Sequence, residues 1–244
     1  MNHRMRALAR LLAVQGSWNY ERMQGVGLGF AAAPLLEPLA TDDPARHAAA
    51  VVRSAEFFNA NPYLASVALG ATVRAEYDGV PPEQVGRLRT ALCGPLGAIG
   101  DALFWAGVLP TLLGAAITAI ALGARWWPVM AFLLVFNALR LGTMRWGLAI
   151  GLANGMRVGA AIGASPLPRL ATRAGIAAAF AVGAAIPLAG AWLAHPFGWR
   201  GTAGAAGIAM AGLALSHWFG AQLTAPRFGL LALGATLLIR WVTA

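Results

Sequence analysis

The stretch LCGPLGAIGDALFWAGVLPTLLGAAITAIALG, residues 92–123, decides the fold class, and Asp101 is its only charged side chain. A helix needs roughly 20 apolar residues to cross the hydrocarbon core of a bilayer, and this stretch is longer. The whole chain agrees, because 59% of its 244 residues are hydrophobic and 11% are charged, whereas roughly 25% are charged in a soluble domain. We therefore predict an all-α, polytopic integral membrane protein.

Downstream of residue 87, long apolar stretches alternate with short loops. We predict about five longer spans, the first of them bent at Pro95 and Pro110, because proline interrupts helical hydrogen bonding. The predicted spans are 92–123, 127–153, 174–194, 202–223 and 228–243.

Upstream of residue 87 the apolar segments are too short to cross a bilayer. Residues 4–14 predict a basic amphipathic helix on the anionic cytoplasmic leaflet, which makes the N-terminus cytoplasmic. Residues 25–40 are interrupted by Pro34 and Pro38, and Pro62 precedes a second apolar stretch of about a dozen residues. We expect one domain in three parts: an N-terminal interfacial helix with a polar motif (1–24), a re-entrant, broken-helix region with the substrate site (25–87), and a transmembrane helical region (88–244).

Charge is distributed unevenly along the chain. All nine acids lie between Glu21 and Asp101, whereas the 18 basic residues are spread along the whole length. Scattered arginines among apolar stretches fit membrane anchoring better than phosphate tracking, so nucleic acid is not an expected partner. The 154–173 loop carries more arginines than the 195–201 loop, which predicts that 154–173 is cytoplasmic.

Four blocks place polar side chains inside apolar sequence, where an unsatisfied polar group is costly and tends to face a partner or a cavity. The blocks are QGSWNYERMQG (15–25), EFFNANPYLA (56–65), CGPLGAIGDALFWAGVLP (93–110) and FNALRLGTMRWGLAIGLANG (136–155).

In this order the four blocks resemble the IID component of the mannose/fructose/sorbose class of the bacterial phosphotransferase system. The resemblance covers roughly residues 10–155 and departs from the family pattern at a few positions. Ala60 replaces the usual Thr, Cys93 replaces Met, and Gly97-Ala98 inverts the usual Ala-Gly.

The resemblance implies a multi-pass subunit of the bacterial cytoplasmic membrane. It implies a IIC membrane partner, in a trimer of heterodimers, and soluble IIA and IIB phosphocarriers, with IIB phosphorylating the hexose as it enters. It implies no cofactor and no phosphorylated or catalytic residue in this chain, so His47 is not expected to be a phosphoryl acceptor. A non-transporting scaffold and a membrane transferase remain as alternatives.

Sugar hydroxyl groups need carboxylate and amide partners, and aromatic rings pack on the apolar face of a pyranose. Glu21 has a second interpretation, as an ion-pair partner of Arg22 or Arg53. The predicted substrate-binding residues are Asn19, Glu21, Gln24, Glu56, Asn59 and Asn61.

Other residues of the blocks are predicted to be structural or to gate the path. Asp101 either binds sugar or pairs with Arg140 or Arg145. Glycines every third residue around Pro95 indicate either a close helix approach or loop punctuation. The predicted structural or gating residues are Arg22, Pro62, Gly94, Pro95, Gly100, Asp101, Trp105, Asn137 and Arg140; the histidine spacing predicts no metal site.

Overall fold

A computed structural model describes residues 2–194 and, beyond them, residues 198, 200, 203, 204, 207 and 210. All regular structure in these residues is helical, which confirms the predicted all-α class. The chain divides into two compact units, residues 1–186 and 187–244. Apart from the end of the last helix, everything described below lies in the first unit.

The chain begins with helix α1, His3–Leu11, which buries Ala7 and Leu11. The side chain of Asn2 caps it by accepting a hydrogen bond from the Met5 amide. Arg6 donates to both carboxylate oxygens of Glu37, at 2.8 Å each, and these bonds hold the pKa of the Glu37 carboxyl below its usual range. The apolar face of α1 therefore packs on the protein; its position on a membrane surface stays a prediction.

Four helices follow before the long ones, and none is long enough to cross a bilayer. A helix of 13 residues rises only about 20 Å, against about 30 Å of hydrocarbon. The third of them begins after Asp43, whose side chain accepts from the Arg46 amide, with Pro44 in the first turn. The four are α2 (Gly25–Leu36), α3 (Leu39–Asp42), α4 (Pro44–Ser54) and α5 (Ala65–Tyr77).

The second half of the first unit consists of long helices. In the part of the chain that the structure describes, three segments are long and apolar enough to span a membrane: Pro82–Ala121, Trp127–Ala164 and Leu167–Leu193. Two further predicted spans, 202–223 and 228–243, lie outside the described residues apart from isolated positions in the first. The elements are α6 (Pro82–Leu103), a π-helix (Phe104–Val108), α7 (Leu109–Ala121), α8 (Trp127–Asn154), a 3₁₀ turn (Gly155–Arg157), α9 (Val158–Ala164) and α10 (Leu167–Ala194).

Some predicted boundaries are wrong. Helix α6 begins at Pro82, ten residues before the first predicted span (92–123), because proline is well suited to a first helical turn, where the amides have no partner within the helix. The 154–173 segment is largely helical rather than a loop. Helix α6 continues through Pro95, so the helix does not end at that proline. Just ahead of Pro110, the hydrogen bonding changes from α-helical to π-helical between Phe104 and Val108.

The first unit is held together by close packing of α5 on α8. A methyl group added at Gly151 of α8 would overlap the carbonyl of Val67, and one at Gly70 of α5 would overlap the carbonyl of Leu148. Gly147 and Gly151 are four residues apart, the spacing by which small residues let helix backbones approach in lipid. This contact fixes the short helix α5 against a spanning helix.

Candidate functional site

The first two polar blocks meet in a short parallel backbone pairing. The Gln24 amide donates to the Phe58 carbonyl at 2.9 Å, and the Phe58 amide donates to the Arg22 carbonyl at 3.3 Å. Gln24 is 3% exposed, and its Nε2 donates to the Ala60 carbonyl at 2.7 Å. The side chain of Gln24, which was predicted to bind sugar, therefore holds the second block in position through the Ala60 carbonyl.

The second block is joined to helix α6 through Asn61, which is 1% exposed. Its Nδ2 donates to Oδ1 of Asp101 at 3.0 Å, and its Oδ1 accepts from the Tyr63 amide at 3.1 Å. Gly100 makes this approach possible, because a methyl group there would overlap the Asn61 side chain. Asn61 thus holds the chain where Pro62 prevents a continuous helix.

Arg89, a residue that the sequence did not single out, anchors the same loop. It is 4% exposed, and its guanidinium donates to the carbonyls of Glu56 (2.7 Å) and Phe57 (3.1 Å) and lies 5.6 Å from the centre of the Phe58 ring. A charged residue next to an apolar span was the signal that could have identified it.

An open cleft of about 420 Å³ lies between this loop and α6, within the size range of small-molecule sites. Two predicted residues, Asn59 and Asp101, present polar side chains to it, and Phe57 adds an aromatic ring. The lining residues are Phe57, Asn59, Ala60, Cys93, Gly94, Gly97, Ala98 and Asp101. A carboxylate and an amide beside an aromatic ring are the groups that bind a polar ring compound with one apolar face.

An aromatic cluster packs beside the Asn61–Asp101 contact. The Tyr63 ring lies 4.6 Å from Phe104 and 5.6 Å from Trp105, between ring centres. Arg140 lies 5.7 Å from the Tyr63 ring centre. The predicted ion pair of Asp101 with Arg140 or Arg145 is therefore wrong within the part of the chain that the structure describes, because Asn61 binds the carboxylate and Arg140 lies over an aromatic ring.

The remaining candidates of the first two blocks lie away from the cleft lining. Asn19 closes a local turn by accepting from the amides of Glu21 and Arg22, both exposed. Glu56 is exposed and contributes its carbonyl to Arg89. The structure therefore brings Gln24, Asn59, Asn61 and Asp101 together around one loop, but not Asn19, Glu21 or Glu56.

The residues predicted to be structural or to gate the path have different surroundings in the structure. Gly94 lines the cleft with open space around it, whereas Gly100 lies in tight contact, so only the second requires glycine for packing. Pro62 is buried at the helix break, and Pro95 is exposed on α6. Asn137 is exposed and donates to the Leu133 carbonyl of its own helix.

Arg53 pairs with Glu76, not with Glu21. Its Nε lies 2.8 Å from Oε1 of Glu76, and the Glu76 side chain is 5% exposed. The hydrogen bonds to Glu76 raise the pKa of the Arg53 guanidinium, and Arg46 donates to the Glu76 carbonyl. This buried pair joins α4 to α5. Among the described residues, no group of three or more His, Cys, Asp or Glu is placed to hold a metal ion.

The fold and the cleft define an all-helical membrane protein in which the loop between two half-length helices, α4 and α5, forms a polar cleft against a spanning helix. Residues 2–195 match the PTS system mannose/fructose/sorbose family IID component, and the chain belongs to this family.

Named relatives and solved structures agree with this assignment. The mannose-specific EIID component of Escherichia coli K12 is 34% identical over 179 residues, or 70% of this chain and 62% of that protein. The fructose permease IID component of Bacillus subtilis is 30% identical over 70% of this chain and 63% of its own length. The chain thus spans less than two thirds of these relatives.

A cryo-EM structure of the mannose transporter ManYZ with microcin E492 is similar over 76% of this chain and 69% of that chain, with a TM-score of 0.58 and 31% identity. A further membrane protein structure is similar with a TM-score of 0.65 and 31% identity over 75% of this chain and 69% of its own.

Proposed function

We propose that this chain is the IID subunit of a sugar permease of the mannose/fructose/sorbose class. With a IIC partner it forms the path for sugar uptake, which is coupled to phosphorylation of the sugar by IIB. Family membership and the names of the relatives support this function. The complex is a trimer of heterodimers in the bacterial cytoplasmic membrane, with the N-terminus of this chain in the cytoplasm.

The observation that carries the proposal is the cleft between the 56–61 loop and α6. Its polar side chains, Asn59 and Asp101, come from two blocks that are far apart in sequence, and the Asn61–Asp101 hydrogen bond aligns the two elements. Asp101 accepts hydrogen bonds from sugar hydroxyls, Asn59 both donates and accepts, and Phe57 packs on the C–H face of the ring.

Two of the originally predicted sugar ligands have another task in this proposal. Gln24 and Asn61 are buried and hydrogen-bonded to the loop and to α6, so they position the site without touching sugar. Glu21 and Glu56 are exposed and lie outside the cleft lining. We therefore do not propose that Glu21 or Glu56 contacts the sugar.

The test is sugar uptake and sugar binding by the full chain co-expressed with its IIC partner. Asn59→Ala removes an amide from the cleft lining and is expected to abolish sugar binding while leaving association with IIC intact. Glu21→Gln is the matched control, a polar substitution outside the lining that is expected to retain both properties. Retention of sugar binding by Asn59→Ala would contradict the proposed site.

A non-transporting scaffold is the second candidate function. It is favoured by Ala60, which lines the cleft where the family pattern has a hydroxyl side chain. A scaffold forms the heteromer but moves no sugar. Turnover of a substrate by the isolated chain would instead support the less favoured membrane transferase.

A further inference from the structure

A second groove, separate from the cleft, lies between the N-terminal helix α1 and the spanning helix α8. Its volume is about 280 Å³, and its lining includes Arg4, Met5 and Leu8 of α1 and Arg145, Leu148 and Leu152 of α8. No residue of the cleft described above lines this groove.

Two arginines line this groove, Arg4 of α1 and Arg145 of α8, and their contacts differ from those of the other two arginines of α1. Arg6 is paired with Glu37, and Arg10 lies over the Phe30 ring at 4.4 Å. Arg4 and Arg145 are exposed, and neither forms a hydrogen bond or ion pair with any residue that the structure describes. The lining contains no acid, so the groove combines two uncompensated positive charges.

The apolar part of the lining forms two matching helical faces. Leu148 and Leu152 follow Arg145 at i+3 and i+7 on α8, and Leu8 follows Arg4 at i+4 on α1. Residues at these spacings lie on one side of a helix. Each helix therefore presents one arginine and then apolar side chains to the same groove.

We propose that this groove binds one anionic phospholipid, with the phosphate between Arg4 and Arg145 and an acyl chain along the partly exposed Leu8 and Leu152, above the buried Leu148. Guanidinium groups recognise phosphate oxygens through paired N–H donors. Basic pockets beside spanning helices recognise anionic headgroups, and apolar side chains match a lipid tail. The site would tie the N-terminal helix to the lipid surface, and it does not depend on sugar transport.

The proposal is tested by native mass spectrometry of the purified full chain in detergent, with phosphatidylglycerol or phosphatidylcholine added. The unchanged chain is expected to retain phosphatidylglycerol preferentially. In the double variant Arg4→Gln/Arg145→Gln that retention should fall by about 25-fold, since each of the two arginines near an anionic headgroup contributes about 1 kcal/mol, or about fivefold. Arg125→Gln, in the exposed turn after α7, is the matched control and should bind as the unchanged chain does.

Three results would overturn the proposal. The first is equal retention of the two lipids by the unchanged chain, a comparison that needs no variant to fold. The second is undiminished phosphatidylglycerol binding by the double glutamine variant. The third is loss of IIC association in the glutamine variant, with IIC excluding the lipid, which would identify the groove as a protein interface.

Discussion

Nδ2 of Asn61 donates a hydrogen bond of 3.0 Å to Oδ1 of Asp101 and so connects the loop before α5 to the spanning helix α6. The donor belongs to a side chain that is 1% exposed, whereas Asp101 is exposed in the cleft. One carboxylate oxygen thus has a structural partner. The other, Oδ2, makes no hydrogen bond with a described residue and is available for a sugar hydroxyl.

The two functions of Asp101 can be separated by substitution. In Asp101→Asn the new amide oxygen can still accept from Asn61, so the midpoint of thermal unfolding should change little. Sugar affinity should fall about tenfold or more, because a hydrogen bond to a charged acceptor contributes about 1.5–3 kcal/mol. Isothermal titration of the complex with IIC and a thermal melt in detergent measure the two effects.

Asp101→Ala completes this comparison, since it removes both functions. It leaves a buried amide donor without a partner, which costs about 1–3 kcal/mol. Equal destabilisation by the asparagine and alanine variants would contradict the assigned role of the Asn61 contact.

A glycine pair on α6 tests the close approach of Asn61. Gly100→Ala should lower the free energy of unfolding by about 1–3 kcal/mol, because the new methyl group overlaps the Asn61 side chain. Gly86→Ala lies on the same helix with no atom near the added methyl group, and alanine favours a helix by about 1 kcal/mol over glycine. Denaturant unfolding should therefore give different free energies of unfolding for the two variants. Equal changes would mean that helix propensity, and not the contact with Asn61, determines the effect of both substitutions.

The buried pair of Arg53 and Glu76 should be a principal contribution to the α4–α5 contact. Glu76→Gln leaves Arg53 without its carboxylate in a half-buried position, and the loss should be about 3 kcal/mol in the free energy of unfolding. Asp78→Asn breaks the exposed pair with Arg74 and should change stability little, because water screens it. Thermal melts of both variants in the same detergent provide the measurement; similar melting points would be the contrary result.

The sequence predicted the fold class and the half-length segments because both follow from the length of apolar runs. It also singled out Asn59 as a sugar ligand and Asp101 as a structural or gating residue or a second sugar ligand, since polar side chains in apolar surroundings need partners or a cavity. Their common position in one cleft required the tertiary fold, because 42 residues separate them and the Gly100 contact sets the distance between loop and helix.

Pairing partners could not be predicted in the same way. Arg53 had several acids within reach along the chain, and the packing of α4 on α5 selected Glu76. Arg89 was missed because its partners are backbone carbonyls, which the pattern of side chains in a sequence does not reveal. Asn19 and Gln24 were predicted to bind sugar, but a turn and a loop carbonyl are the partners that the structure describes.

Cys93, the single cysteine of the chain, lines the cleft and provides its most direct test. The rate at which N-ethylmaleimide alkylates it can be followed by mass spectrometry of the Cys93 peptide in the complex with IIC. The proposed site predicts that a transported hexose slows alkylation in a saturable manner and that Asn59→Ala removes this protection. An alkylation rate unaffected by any hexose that the complex transports would contradict the assignment of the cleft as the sugar site.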